Sequence, residues 1–208
     1  MGNNSPRVIG ITGRKGSGKD HFAKVMTKAW RIKTDQQCRT LSFATPMKQI
    51  CSIIFREPLH VFYLEESARA AYKTRWKWAD LTEELQKAFP QRGEFVTARE
   101  AVQLIGYDLF RLHFCGLVWI RMMADELDAQ TCKLILIPDV RFEEEADMLR
   151  GRGATLIRVV DPHAVIPEGG YKTETKMDAI PVDHTVQNDR KREPYDLEQE
   201  ASKLVFPA

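Results

Sequence analysis

The chain has 208 residues, 43% of them hydrophobic, which is enough for a full core in one compact domain and excludes an unstructured or fibrous protein. Its 31 basic and 29 acidic residues leave a formal charge of +2, so charge gives no reason to expect a nucleic-acid partner. Cys38, Cys51, Cys115 and Cys132 form no CxxC pair and no Cys/His grouping, no apolar run reaches the length of a membrane span, and no signal-peptide core is present; a reduced, cytoplasmic protein is expected.

The first predicted element is a short apolar strand, Val8-Ile9-Gly10-Ile11, running through a glycine-rich segment into a helix whose inner face is Phe22, Val25, Met26, Ala29 and Trp30. A second strand is expected at 39–43. The interval 44–131 is far longer than the dozen or so residues a crossover needs, so it reads as an inserted helical subdomain. Its predicted pieces are 46–55, a middle section over about 65–89, 98–105 opened by the capping box Thr97-Ala98-Arg99-Glu100, and 117–127. Leu134-Ile135-Leu136-Ile137, inside a third strand at 133–138, is uninterrupted and apolar, as in a parallel sheet covered on both faces. A helix follows on Phe142, Ala146 and Leu149, then a fourth strand at 154–160. The stretch 161–182 holds Pro162, Pro167, Gly169, Gly170 and Pro181 and reads as a lid loop; Leu197, Ala201, Leu204 and Val205 mark a closing helix. Strands alternating with helices predict an α/β fold with a doubly wound parallel sheet.

Gly13, Gly18 and Lys19 have the spacing of a phosphate-binding P-loop. Glycines at Gly13, Gly16 and Gly18 let the backbone N–H groups of this loop, with Arg14, Lys15 and Ser17, close around a phosphate chain, and Lys19 reaches the outer phosphates from the start of a helix whose dipole favours anions. A nucleoside triphosphate is the expected ligand. Asp20 stands where Ser or Thr normally presents a hydroxyl to Mg²⁺; its carboxylate is a hard oxygen ligand, a complement to the helix dipole, or both. Phosphoryl transfer also asks for positive charge around the transferring group. Asp139, at the carboxyl end of the third strand where open parallel sheets bind ligands, is the second candidate for the Mg²⁺ shell, and Arg141 the candidate phosphate contact. The plain alternatives are a helix N-cap and a surface ion pair.

Four further segments, read with Gly16-Ser17-Gly18-Lys19-Asp20, resemble bacteriophage deoxynucleoside monophosphate kinases: Leu41-Ser42-Phe43-Ala44-Thr45-Pro46-Met47-Lys48, Thr97-Ala98-Arg99-Glu100-Ala101-Val102-Gln103-Leu104-Ile105-Gly106, Pro138-Asp139-Val140-Arg141-Phe142-Glu143-Glu144-Glu145-Ala146 and Asp183-His184-Thr185-Val186-Gln187-Asn188-Asp189. The resemblance covers most of the chain with the motifs in the same order, and that family commonly carries Asp after the P-loop lysine. It implies a three-layer P-loop fold with a monophosphate-binding insertion, and transfer of the γ-phosphoryl of ATP to a deoxynucleoside 5′-monophosphate with Mg²⁺. It implies Lys48 beside the acceptor phosphate, Arg99 and Gln103 as phosphate or base contacts, Arg111 as a phosphate contact, Trp119 as a base-stacking or core residue, and Asn188 near adenine. Arg99 and Gln103, at i and i+4, share a helix face. The family's lid commonly carries His-x-Ser-Glu; the nearest segment here is Tyr171-Lys172-Thr173-Glu174, so Lys172 and Lys176 are the lid candidates. The resemblance is compatible with a homodimer and, for a phage-encoded chain, with the host cytoplasm.

Two other readings stay open. Phosphomevalonate kinases and other small-molecule phosphate kinases share a similar loop and strand-end Asp-x-Arg, although the 99–106 segment speaks against them. A P-loop protein acting on nucleic acid would need a continuous basic track; Tyr72-Lys73-Thr74-Arg75-Trp76 sets basic residues beside aromatics and is read here as part of the insertion.

Overall fold

The structure, a computed structural model, describes residues 6–89, 92–163, 177–189 and 194–206. In chain order its elements are β1 (Arg7–Thr12), α1 (Lys19–Lys33), β2 (Cys38–Thr40), α2 (Ala44–Phe55), α3 (Glu66–Ala71), β3 (Lys73–Lys77), α4 (Glu83–Ala88), β4 (Phe95–Thr97), α5 (Ala98–Gln103), α6 (Val118–Asp128), β5 (Leu134–Ile137), α7 (Glu143–Gly151), β6 (Thr155–Val160), β7 (His184–Gln187) and α8 (Pro194–Val205). The chain divides into two compact units, one of Met1–Ser42 with Met123–Ala208 and one of Phe43–Met122.

The first unit is built on a five-stranded sheet in the order β2-β5-β1-β6-β7, with every pairing parallel. The four residues of β5 are fully buried, as their unbroken apolar run requires. Phe22, Met26 and Trp30 of α1 pack with Ile9, Ile11, Leu136 and Val159 of the sheet and with Leu197, Ala201 and Val205 of α8 in one core. Arg7 ties the last turn of α8 to β1: its guanidinium donates to the carbonyls of Val205 and Leu204 at 2.7 and 2.9 Å, satisfying groups that the helix leaves open. β2 is shorter than the expected 39–43 because Phe43 already has helical backbone angles (φ −58, ψ −27) and opens α2.

The second unit packs α2, a 3₁₀ turn at Leu59–Tyr63, α3 and α5 on one another. The section over 65–89, expected as helix, contains a strand. In Lys73-Thr74-Arg75-Trp76-Lys77 the side chains alternate, with Thr74 buried and Lys73, Arg75 and Lys77 exposed, so the period is two. β3 pairs antiparallel with β4. The Thr97 capping box is present in both directions: Thr97 N–H donates to Glu100 Oε2 at 2.8 Å, and Glu100 N–H to Thr97 Oγ1 at 3.2 Å. Past Gln103, α5 continues as a wider π-helical stretch over Leu104–Leu112, beyond the expected end at 105. Such stretches are uncommon and recur at functional sites.

All four cysteines are free thiols, and burial pushes that of Cys51 up to about 12. Among the described residues no helix is long and apolar enough to cross a membrane.

Candidate active site

The sheet brings the chemistry-bearing residues of the first unit to its carboxyl edge, where the chain leaves β1, β2, β5 and β7. The loop after β1 has two glycine positions that its surroundings dictate. A Cβ on Gly13 would stand 2.4 Å from the carbonyl oxygen of Val159 on β6, and one on Gly18 would stand 2.1 Å from Asn188 Nδ2. Gly18 also has φ 85, the left-handed region, immediately before α1. Within the loop, Ser17 N–H donates to the Arg14 carbonyl at 3.1 Å, closing a turn. Lys19 is the first residue of α1 and Asp20 lies exposed in its first turn. Thr12 and Ser17 are 2% and 1% exposed, and their hydroxyls have no hydrogen-bond partner. Unpaired buried hydroxyls are uncommon, and here one immediately precedes the segment expected to wrap a phosphate chain and the other lies within it.

Asn188, expected near adenine, has a second task that the sequence did not disclose. Its side-chain amide donates to the Ser17 carbonyl at 2.8 Å and its backbone N–H to Val160 O at 2.7 Å, so the end of β7 braces the loop.

Asp139 follows β5 and accepts a hydrogen bond from Ser42 Oγ at 2.6 Å, from the end of β2. The next residue, Val140, donates its N–H to Ile11 O at 3.2 Å, which ties the Asp139-Val140-Arg141 segment to the end of β1, just before the P-loop. The N-cap position of α7 belongs to Phe142, so Asp139 is not the helix cap of the plain alternative. The buried Glu145, 3% exposed, accepts the N–H groups of Arg141 at 2.8 Å and Phe142 at 3.2 Å. It thereby fixes the backbone from which the exposed Arg141 side chain extends. Arg14 forms a bidentate ion pair with Asp178. Lys172 and Lys176, the lid candidates, lie outside the described residues, as does most of the 161–182 loop.

The acceptor candidates Lys48, Arg99, Gln103, Arg111 and Trp119 all belong to the second unit. Lys48 on α2 holds its ammonium 4.0 Å above the ring of Tyr63, which is half exposed. Arg99 and Gln103 lie on the regular part of α5, and the Arg99 guanidinium is 3.4 Å from Glu66 Oε1 of α3. Arg111 is half buried on the π-helical stretch. Trp119 takes the core role of the two open to it. It is 3% exposed, its ring tilts against Phe110 with centroids 5.4 Å apart, and its indole N–H donates to the Gly106 carbonyl at 2.7 Å. A ring buried in this way has no free face on which a base can stack; it supports the backbone at Gly106 instead. Burial raises the carboxyl pKa of Asp108, two residues further on.

The sequence assigned no role to Ser42, Glu145 or Asp178, each of which contacts a residue that it had singled out. Glu145 had a detectable signal, a carboxylate three residues after the N-cap. Ser42 and Asp178 had none, because their partners are 97 and 164 residues away.

The family model for deoxynucleotide monophosphate kinase matches residues 59–198. The deoxynucleoside-5′-monophosphate kinase of Escherichia phage T5 is 25% identical over 179 residues, covering 69% of this chain and 71% of that protein. A relative from Acanthamoeba polyphaga mimivirus is 24% identical over 187 residues, 83% of each chain. Among solved structures, an unliganded sugar kinase from Janibacter sp. HTCC2649 covers 94% of this chain and 92% of its own at 15% identity, with a TM-score of 0.45.

Proposed function

Because the chain belongs to the deoxynucleotide monophosphate kinase family, it is a phosphotransferase acting on deoxynucleoside monophosphates, and we propose that ATP is the donor, bound by the Gly13–Lys19 loop. The observation that carries the donor assignment is the loop itself: a turn fixed by Gly13 against Val159 and by Asn188 against Ser17, opening directly into the N-terminus of α1. Neither a phosphomevalonate-type acceptor nor a nucleic-acid substrate is favoured, given the family and the near-neutral charge.

In this reading the acceptor's own phosphate oxygen attacks, so no protein nucleophile is required, and the chain supplies position and charge. Lys19 and Arg141 neutralise the charge that grows on the transferring group. Lys48, Arg99 and Arg111 hold the monophosphate, Gln103 reads a base edge, and Trp119 holds the Gly106 backbone through its indole N–H. At nucleotide sites Mg²⁺ is held by one or two carboxylates together with phosphate oxygens, and Asp20, in the first turn of α1, and Asp139, after β5, are the carboxylates that would hold it. When bound, the ion would offset charge on the donor phosphates.

The test is ADP release in a coupled assay across dAMP, dGMP, dCMP, dTMP, ribonucleotides and phosphomevalonate, with Arg99→Ala and Gln103→Ala alongside wild type. Arg99→Ala should lower kcat/KM for the monophosphate about tenfold or more, the loss of a charged hydrogen bond, with ATP binding unchanged. Gln103→Ala should reorder the bases. If neither variant alters acceptor kinetics or base ranking, α5 is scaffold and the acceptor assignment is wrong.

A further inference from the structure

One charged contact at the P-loop has no part in the reaction just described. Arg14 donates from Nε to both carboxylate oxygens of Asp178, at 2.9 and 3.2 Å, and from Nη2 to one of them. Asp178 lies on a turn that is anchored rather than loose. Met177 and Ile180 are 4% and 2% exposed, and their carbonyls accept hydrogen bonds from the Arg158 guanidinium of β6. Asp178 is therefore a fixed post to which a loop side chain reaches. The pair itself is open to water: the side chains are 35% exposed at Arg14 and 41% at Asp178.

We propose that Asp178 is a counter-ion of Arg14 that competes with the donor triphosphate for this guanidinium, the one pairing exchanging for the other when nucleotide binds. The proposal rests on the reading of Gly13–Lys19 as the donor loop. Three physical facts favour exchange over a permanent brace. A half-exposed ion pair is weak and screened by salt, so little is lost when it opens. Phosphate oxygens bearing several negative charges offer a guanidinium the same bidentate geometry with a larger attraction. Once left behind, an exposed carboxylate is rehydrated, whereas a buried one would be stranded at high cost. Asp178 therefore competes with the donor for Arg14, and neutralising it should tighten nucleotide binding. A brace predicts the opposite sign.

The experiment measures equilibrium binding of ATP and of tripolyphosphate to the full chain by calorimetry, for wild type, Asp178→Asn, Arg14→Gln and the double variant, with Asp178→Glu as the conservative control. Asp178→Asn should lower the Kd for both ligands roughly twofold to fivefold, the range set by one exposed ion pair. It should lower KM for ATP and leave KM for the monophosphate unchanged, and Asp178→Glu should return both to wild-type values. In the Arg14→Gln background, Asp178→Asn should have no effect on Kd. A raised Kd in Asp178→Asn, an unchanged one, or the same tightening in the Arg14→Gln background each overturns the exchange while leaving the donor assignment standing. A wild-type chain that binds neither ligand overturns the donor assignment and the exchange with it.

Discussion

Gly18→Ala tests whether the shape of the P-loop depends on Asn188, and its cost can be worked out in two parts. Gly18 has φ 85, where a residue bearing a Cβ is disfavoured by about 1–2 kcal/mol. The new Cβ would stand 2.1 Å from Asn188 Nδ2. That amide ends a flexible side chain and can swing aside, so the second part is the hydrogen bond it gives up to the Ser17 carbonyl, about 0.5–1.5 kcal/mol. The two parts sum to about 1.5–3.5 kcal/mol, which in a chain of this size is a fall in Tm of roughly 5–10 °C. Asn188→Ala alone should cost only the hydrogen bond. In that background Gly18→Ala should cost only the backbone part, so the double variant should be less destabilised than the sum of the singles by about 0.5–1.5 kcal/mol. Urea titration of the four proteins measures this, and the ATP KM of Gly18→Ala should rise in parallel. If the cycle closes additively to within about 0.3 kcal/mol, Asn188 does not hold the loop.

Lys19→Ala should lower turnover roughly 10²-fold or more with little change in urea midpoint, since this charge acts mainly on the transition state; normal turnover in the folded variant would remove the P-loop mechanism. Glu145→Ala takes away a buried carboxylate that accepts two N–H groups and should cost about 2 kcal/mol, roughly 4–8 °C in Tm, along with turnover. Glu145→Gln, which retains an acceptor, should recover much of both, and equal losses in the two variants would show that Arg141 does not depend on this cap. Asp108 supplies a pH signature. Burial raises its carboxyl pKa in the folded chain, against the smaller opposing pulls of a backbone hydrogen bond and then of His113. The folded state thus holds the proton more tightly, and this contribution is complete below the ordinary carboxylate pKa of about 4 and disappears as pH rises through the raised value. The Tm of Asp108→Asn relative to wild type should accordingly climb as pH rises above the ordinary carboxylate pKa of about 4; a flat or falling difference would refute it.

Local patterns in the sequence were enough to settle the parallel α/β sheet, the P-loop and the opening of α5. An apolar run such as Leu134–Ile137 suits a strand covered on both faces, a Gly-x4-Gly-Lys spacing between a strand and a helix suits a phosphate-binding loop, and Thr97 with Glu100 caps a helix through contacts three residues apart. β3 was also written locally, as a two-residue alternation, but at five residues it was overridden by an expectation of helix drawn from its surroundings. Tertiary structure alone decided what supports the site. Ser42 meets Asp139, Asn188 meets Ser17 and Asp178 meets Arg14 across 97, 171 and 164 residues of chain, and no spacing rule connects such positions. It also decided Trp119, whose composition suits stacking on a base as well as packing in a core. Only the neighbours that cover its ring, and the Gly106 carbonyl that takes its N–H, distinguish the two roles.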